Sequence, residues 1–142
     1  LMENYYFKVV DGLLSENHTT PLLLLDEILR HGFDGQNFIT GLSEHFRNLL
    51  VSQDARTVQL MEVPESVKNK YSKQAKATSP SLLLSWLSIA NQCDINYKMS
   101  KNQRLSVELA LMKMAHVQSV LNLRSTEQGE SSKKKVLTVP QP

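Results

Sequence analysis

Apolar residues recur at intervals of three and four along most of the chain, the spacing at which side chains stack on one face of an α-helix. Nowhere do Val, Ile and Thr alternate with polar residues as a β-strand requires. The pattern predicts helices over residues 3–15, 20–30, 34–53, 64–77, 79–97 and 100–121, with one or two helical turns over residues 54–62. We therefore expect an all-α fold.

Residues that begin or end helices stand at the edges of these segments. Thr20–Pro21 and Ser79–Pro80 each place a hydroxyl cap before a proline, which has no N–H group to leave unpaired in a first turn. Asp34 can cap the third helix, and Gly32 is predicted to end the second helix in a left-handed conformation. These signals set the order of the helices along the chain.

The helix predicted over residues 100–121 has two apolar rows instead of one. The first row is Leu105, Leu109, Met112 and Val120, and the second is Val107, Ala110, Met114, Val117 and Leu121. A surface helix usually carries a single apolar stripe, so two rows predict burial on most sides. We expect this helix, begun by Ser100 or Asn102, to be the central one. The predicted fold class is an all-α single helical bundle of about five to seven helices with a buried C-terminal helix.

Size and composition indicate one domain followed by a tail. The 142 residues are 41% hydrophobic and 21% charged, as in soluble globular proteins. After Leu123 the chain is rich in Ser, Lys, Gln and Pro and has few core-forming residues. We predict a helical domain over residues 1–121 and a disordered linker or tail over residues 122–142. Because the chain opens on Leu1, which is not an initiator residue, we expect it to be a segment of a longer protein.

The net charge of +2 conceals an uneven distribution of charge. Residues 1–65 carry ten acidic and four basic residues, whereas residues 66–121 carry eight basic and two acidic ones. A molecule with an acidic and a basic half can associate head-to-tail with copies of itself or with relatives. Alternatively, the two halves neutralise each other within one bundle, and the sequence does not decide between these arrangements.

No pattern in the sequence indicates catalysis, a cofactor or a metal. The four histidines are far apart, none has another histidine or a cysteine three or four residues away, and the phosphate-binding GxxxxGK[ST] motif is absent. Cys93 lies in an apolar stretch and is interpreted as a small core residue. We therefore predict no catalytic, cofactor-binding or metal-ligating residue and no enzymatic activity in this segment. A single cysteine, and the absence of an apolar run of about 18 residues, favour a cytoplasmic protein without a membrane span.

One predicted helix is basic. Lys68, Lys70, Lys73 and Lys76 lie close together with a single aromatic residue, Tyr71. Four lysines can neutralise nucleic-acid phosphates, so the alternative function is a helical nucleic-acid-binding module that contacts DNA through this helix. The segment has no arginine to read bases and no further aromatic residue on which they could stack. We therefore favour a solvated helix face.

Three stretches of the chain resemble one protein family. They are YYFKVVDGLL at residues 5–14, LLLLDEILRHGFDGQNFITGLSEHFRNLLV at residues 22–51 and SPSLLLSWLSIANQCDINYKMSKNQRLSVELALMKMA at residues 79–115. Their order and spacing are similar to those of the third domain of the gamma/tau subunit of the bacterial clamp loader, which serves the replicative polymerase. The motifs that carry the resemblance are Gly-Phe-Asp at residues 32–34, HFRNLL at residues 45–50 and R-L-x-x-E-L-A-L at residues 104–111.

The resemblance implies an oligomerisation domain. In this family the C-terminal helical domains of five related subunits form a closed collar, and ATPase modules attached to the collar open the sliding clamp onto primed DNA. For this chain it implies binding to other clamp-loader subunits and only indirect contact with DNA. The charge distribution adds possible self-association, and the absence of a long apolar run predicts no contact with a membrane. ATP and Mg²⁺ would be bound by modules that precede Leu1 in the parent protein, a component of the DNA polymerase III holoenzyme, and not by this segment.

Candidate contact residues follow from the charge distribution. Lys98, Lys101 and Arg104 are spaced by three around the predicted start of the last helix and so lie on one side of it. We predict that they contact an acidic face of the next subunit. The alternative is that they are solvated or pair with acidic residues of their own chain.

Overall fold

The structure, a computed structural model, describes the backbone of residues 2–138 and the side chains of residues 3–124. Within residues 2–138 the chain forms seven α-helices and no β-strand, so the prediction of an all-α bundle is confirmed. The helices are α1 (Met2–Leu14), α2 (Thr19–Arg30), α3 (Gly35–Val51), α4 (Ala55–Val58), α5 (Glu65–Ala75), α6 (Pro80–Asn96) and α7 (Gln103–Thr138).

Most of the predicted helix boundaries are confirmed by their capping contacts. Asp34 Oδ1 accepts a hydrogen bond of 3.2 Å from the backbone N–H two residues later, and Ser79 Oγ accepts one of 3.2 Å from the N–H three residues later. Asn102 Oδ1 does the same at 3.0 Å, so Asn102 is the residue that caps α7. Gly32 has a φ of 88°, the left-handed conformation expected where α2 ends.

The start of α2 differs from the prediction by two residues. The sequence predicted Thr20 as the cap and Pro21 as the first helical residue, but the helix begins at Thr19. The N-cap residue is His18, whose side chain makes no capping hydrogen bond. Asn17, just before it, supports the first turn, because its Oδ1 accepts from the N–H of Thr19 at 2.9 Å and its Nδ2 donates to Thr20 Oγ1 at 3.1 Å. Pro21 still lies in the first turn, where a missing N–H group costs nothing.

The helix at the centre of the bundle is α3, not α7 as the sequence predicted. Helix α3 packs against α1, α4, α5, α6 and α7, whereas α7 packs against α1, α2, α3 and α6. Trp86 of α6 links these elements, because its ring centroid lies 5.2 Å from that of Phe46 in α3 and its Nε1 donates to the carbonyl of Met114 in α7 at 2.9 Å. The prediction erred because both helices carry apolar residues and their neighbours decide which one is surrounded.

Helix α7 is buried along one face, and the prediction that both of its apolar rows are covered is wrong. The face towards α1, α2, α3 and α6 buries Val107, Ala110, Leu111, Met114 and Ala115. The opposite face leaves Leu105, Leu109 and Met112 exposed by 44%, 43% and 38%. No helix of the described chain packs over that face, so these three side chains remain in contact with solvent.

The end of α7 also differs from the prediction. The sequence predicted that this helix ends at Leu121, but α7 continues to Thr138. The added residues include the good helix formers Glu, Gln, Lys and Arg, and no proline occurs between Leu121 and Pro140. The division into a domain over residues 1–121 and a linker or tail over residues 122–142 stays a prediction. The side chains after residue 124, and the whole of residues 139–142, lie outside the described residues.

Candidate assembly surface

The outer face of α7 carries an apolar row at helical spacing. Leu105, Leu109 and Met112 are separated by four and three residues, so they lie one above another on the side of the helix that faces away from the core. Each of these side chains is more than one-third exposed. Exposed apolar side chains on a protein surface are usually scattered singly and do not form a row. A row of this kind is typical of a surface that another helix or subunit covers.

A groove between α6 and α7 adjoins this row. Its volume is about 360 Å³, and Leu109 belongs both to the row and to the groove. The groove is lined by Ser88, Ile89, Gln92, Cys93 and Asn96 from α6 and by Ser106, Leu109, Ala110 and Lys113 from α7. We call the row and the groove together the α6/α7 surface. Its mixture of apolar and polar side chains resembles that of a subunit interface.

The three basic residues predicted as contacts differ in their surroundings. Arg104 is held by its own chain, because its Nη2 lies 2.9 Å from Asp26 Oδ1 and its Nε lies 3.4 Å from Glu108 Oε2. The guanidinium of Arg104 is the main cause that lowers the pKa of the Asp26 carboxyl below its usual value. Lys98 and Lys101 are exposed and form no ion pair with any described side chain. The assignment of all three to an interface stays a prediction.

The acidic and basic halves of the chain are joined by few direct contacts. Among the described side chains, the only ion pair between residues 1–65 and residues 66–121 is that of Arg104 with Asp26. The ion pairs of Arg30 with Asp26 and of Arg56 with Asp54 lie within the first half. Most of the opposite charges therefore remain available for contacts outside the chain.

The four lysines of the alternative hypothesis, a nucleic-acid-binding module, fall into two pairs. Lys70 and Lys73 face α1 and line a groove of about 510 Å³, to which α1 contributes Lys8. Lys68 instead approaches Gln59, with Nζ 3.5 Å from Oε1, and Lys76 is exposed. We call the first site the α1/α5 groove; it is lined by Asn4, Phe7, Lys8, Asp11, Lys70, Lys73, Gln74 and Ala77.

The sequence did not predict the buried polar network that lies beneath the α1/α5 groove. His45 of α3 is 1% exposed, and its Nε2 lies 2.8 Å from Gln74 Oε1. Gln74 Nε2 donates at 2.9 Å to both the carbonyl of Phe7 and Asp11 Oδ1, so Gln74 Oε1 accepts and His45 Nε2 carries the proton. The Phe7 and Tyr71 rings lie against the imidazole, with centroids 4.6 and 5.0 Å away. Burial lowers the pKa of His45 to about 4.

The network explains why polar residues lie in this part of the core. It joins α1, α3 and α5, and among the described side chains only the Nδ1 atom of His45 is buried without a hydrogen-bond partner. The signal for its burial is present in the sequence, because His45 stands seven residues after Phe38 and four before Leu49 on the buried face of α3. Its partner Gln74 is 29 residues away, and no local pattern identifies it.

Groups that could perform chemistry do not converge. No cluster of three or more His, Cys, Asp or Glu side chains suited to a metal ion occurs among the residues that the structure describes. Cys93 is buried as predicted, its Sγ contacts the carbonyl of Ser106 at 3.6 Å, and burial raises the pKa of its thiol, which makes it a poor nucleophile. Over the same part of the chain, no helix is long and apolar enough to cross a membrane.

Comparison with known proteins identifies the family. The family model described as DNA polymerase III subunits gamma and tau domain III matches residues 3–127, whereas no curated protein matches the chain. Among solved structures, the DNA clamp loader delta protein (YqeN) of Bacillus subtilis has a similar fold, with a TM-score of 0.72 over 82% of this chain and 37% of that chain. At 18% sequence identity, this likeness shows the fold alone. Because the family model spans most of its length, this chain belongs to the family of domain III of the DNA polymerase III gamma and tau subunits.

Proposed function

We propose that this domain is an assembly module of a bacterial clamp loader, in which it binds other clamp-loader subunits within a ring-like collar. Two findings support a role in a clamp loader: the chain belongs to the gamma and tau domain III family, and the similar fold is that of a protein named as a clamp loader delta protein. The observation that carries the assembly role is the exposed apolar row Leu105, Leu109 and Met112.

The position of this row within the family motif supports an intermolecular contact. In the R-L-x-x-E-L-A-L pattern of residues 104–111, Leu111 is fully buried in the core, whereas Leu105 and Leu109 are exposed by 44% and 43%. Covering the exposed part of each of these leucines would contribute about 1 kcal/mol, since full burial of a leucine contributes roughly 1.5–3 kcal/mol. Several such contacts together make a useful contribution to association.

Charge complementarity supports the orientation of that contact. The first half of the chain is acidic and the second half is basic, and a single ion pair of the described side chains joins them. Lys98 and Lys101 therefore present unpaired positive charge beside the start of α7, towards an acidic face of the next subunit. Arg104 contributes less, because Asp26 and Glu108 of its own chain already hold it.

The proposed role needs no chemistry within this segment. ATP and Mg²⁺ belong to other modules of the parent protein, and those modules act on the sliding clamp. The domain holds the subunits together in the bacterial cytoplasm and touches DNA only indirectly in this role. Its own contribution is a packed helical body with one apolar surface for a neighbouring subunit.

A charge placed in the apolar row tests the proposal. We expect Leu109→Asp to weaken binding of the chain to its partner clamp-loader subunits by about tenfold or more, because an unpaired carboxylate would be buried in the interface. The matched control is Leu23→Asp, which makes the same change at a side chain of α2 that is 65% exposed. Binding is measured by biolayer interferometry, and circular dichroism verifies that both variants fold.

The outcome that overturns the proposal is binding of the Leu109→Asp variant with wild-type affinity. Equal losses in both variants would also count against it, since the α6/α7 surface would then have no special role. A companion variant, Lys98→Glu with Lys101→Glu, tests the charges. We expect it to slow association chiefly at low salt, because charges at the rim of an interface affect the rate of encounter more than the final affinity.

A further inference from the structure

We propose that the α1/α5 groove binds the phosphate backbone of single-stranded nucleic acid, a function separate from assembly through the α6/α7 surface. The groove has a volume of about 510 Å³ and lies between two helices that are far apart in sequence. Helix α1 supplies Lys8, and α5 supplies Lys70 and Lys73. Three ammonium groups from two helices thus border one concave site.

The charges of these lysines are not neutralised by the part of the chain whose side chains are described. None of the three forms an ion pair with a described side chain. Lys70 Nζ is 3.5 Å from Asn4 Oδ1, and Lys8 Nζ lies 5.7 Å from the centroid of the Tyr5 ring. The single acidic side chain in the groove, Asp11, accepts a hydrogen bond of 2.9 Å from Gln74 Nε2. The groove therefore carries a positive excess that an anion can neutralise.

The shape of the site favours a chain over a small anion. A second groove of about 350 Å³ shares Lys8 and Asp11 with the first and continues beside α1 past Gly12 and Ser15. From Asn4 to Ser15, at 1.5 Å per helical residue, the two grooves together extend for roughly 16 Å. That length accommodates successive phosphates of a strand, whereas a single inorganic phosphate would contact only one part of it.

The chemistry of the lining suits a single strand. Lysine ammonium groups neutralise phosphates without reading bases, and the half-buried Phe7 and the exposed Ala77 supply apolar surface between the charges. Reading the sequence of a duplex requires an element that enters one of its grooves, and a concave site between two helices offers no such element. The expected binding is therefore sensitive to salt and insensitive to base sequence.

The experiment compares two pairs of lysines that belong to α5 and its C-cap residue, Lys76. The probe is a fluorescently labelled oligothymidylate of about ten nucleotides, within the common site size for single strands, and its binding to the whole chain is followed by anisotropy at low salt. We expect Lys70→Gln with Lys73→Gln to weaken binding by about tenfold or more and to reduce the dependence of log K on log salt, since each lost phosphate contact removes roughly 0.7 from that slope. Lys68→Gln with Lys76→Gln removes the same charge from α5 and its C-cap, outside the groove, and should change binding by less than about threefold.

A third variant tests whether both helices form the site. Lys8→Gln lies on α1, more than 60 residues from Lys70 in sequence, and should weaken binding by several-fold only if the groove is the binding site. Absence of salt-sensitive binding by the wild-type chain would overturn the proposal. So would equal losses in the two α5 variants, which would show a general effect of charge. An oligoglutamate peptide that competes as well as the oligonucleotide would reassign the groove to acidic proteins. Circular dichroism verifies the fold of each variant.

Discussion

Acid should destabilise this domain through protonation of the buried His45. The imidazole has an ordinary pKa of 6.5 in the unfolded chain, and burial lowers it to about 4 in the folded one. The unfolded state therefore binds the proton first as the pH falls, so protonation favours unfolding. The stability that the neutral histidine preserves is fully present above pH 6.5, is lost as the pH falls towards about 4, and changes no further below that value.

The magnitude follows from the difference between the two pKa values. A shift of one pKa unit corresponds to about 1.4 kcal/mol, so the fall from 6.5 to about 4 corresponds to about 3 kcal/mol in full. At about pH 5, most but not all of this free-energy difference has developed. We therefore expect the free energy of unfolding to be about 2 kcal/mol lower than at about pH 7.5. Asp26 and Asp54, whose pKa values are lowered by neighbouring arginines, add to acid destabilisation only at lower pH, near and below 3.8.

Urea denaturation at these two pH values measures the effect, with the fluorescence of the single tryptophan, Trp86, as the signal. The decisive variant is His45→Gln, because glutamine can still donate to Gln74 Oε1 but does not titrate in this range. We expect it to lose less than about 0.5 kcal/mol between the two pH values. His116→Gln, at an exposed position of α7, is the control and should keep the wild-type dependence. An equal loss in wild type and His45→Gln would refute the reasoning.

Further predictions concern packing and capping. Leu111→Ala should cost about 2–5 kcal/mol of unfolding free energy, whereas Leu109→Ala, at a side chain 43% exposed, should cost less than about 1.5 kcal/mol; similar costs in chemical denaturation would mean that the faces of α7 are misassigned. Gly41→Ala should destabilise by about 1–3 kcal/mol, because its methyl group would lie 2.6 Å from Tyr6 Cζ, and an unchanged melting temperature would contradict that close approach. Asn102→Ala should cost about 1 kcal/mol through loss of the α7 cap, whereas Asn102→Asp should retain most of the stability.

Local chemistry made the helix boundaries predictable. The capping roles of Asp34, Ser79 and Asn102 depend on hydrogen bonds to N–H groups two or three residues away, and the left-handed Gly32 depends on its own lack of a side chain. Such interactions are complete within a few residues, so the sequence contains all the information needed to infer them. The sequence prediction placed the start of α2 too late, because it did not consider that Asn17 could accept a hydrogen bond from the N–H of Thr19.

The surroundings of each helix could not be predicted in the same way. Leu105 and Leu111 are both leucines of α7, yet Leu111 is fully buried and Leu105 is 44% exposed. Periodicity shows that a helix has apolar rows, but the helices that pack against it decide which row is covered. The surplus row on α7, which sequence reasoning assigned to the core, thereby became the main feature of the proposed assembly surface.

The lysines of α5 illustrate the same limit for the candidate sites. In the sequence they are four equivalent charges on one polar helix, and a solvated face was the favoured interpretation. The fold separates Lys70 and Lys73 from the other two and places Lys8 of α1 beside them. Charges that border a concave site act together on an anion more strongly than the same charges spread over a convex surface. No property of α5 alone could have indicated this arrangement.

The two proposed surfaces are built from different residues, and this has a testable consequence. The α6/α7 surface uses Leu105, Leu109 and Met112, whereas the α1/α5 groove is lined by other helices and shares no residue with it. Mutations at separate sites without shared partners usually have independent effects. Leu109→Asp should therefore weaken binding to partner subunits and leave oligonucleotide affinity unchanged, while Lys70→Gln with Lys73→Gln should do the reverse. If each variant impaired both activities, a single surface would have to serve both, and the division of this domain into an assembly side and a strand-binding side would be wrong.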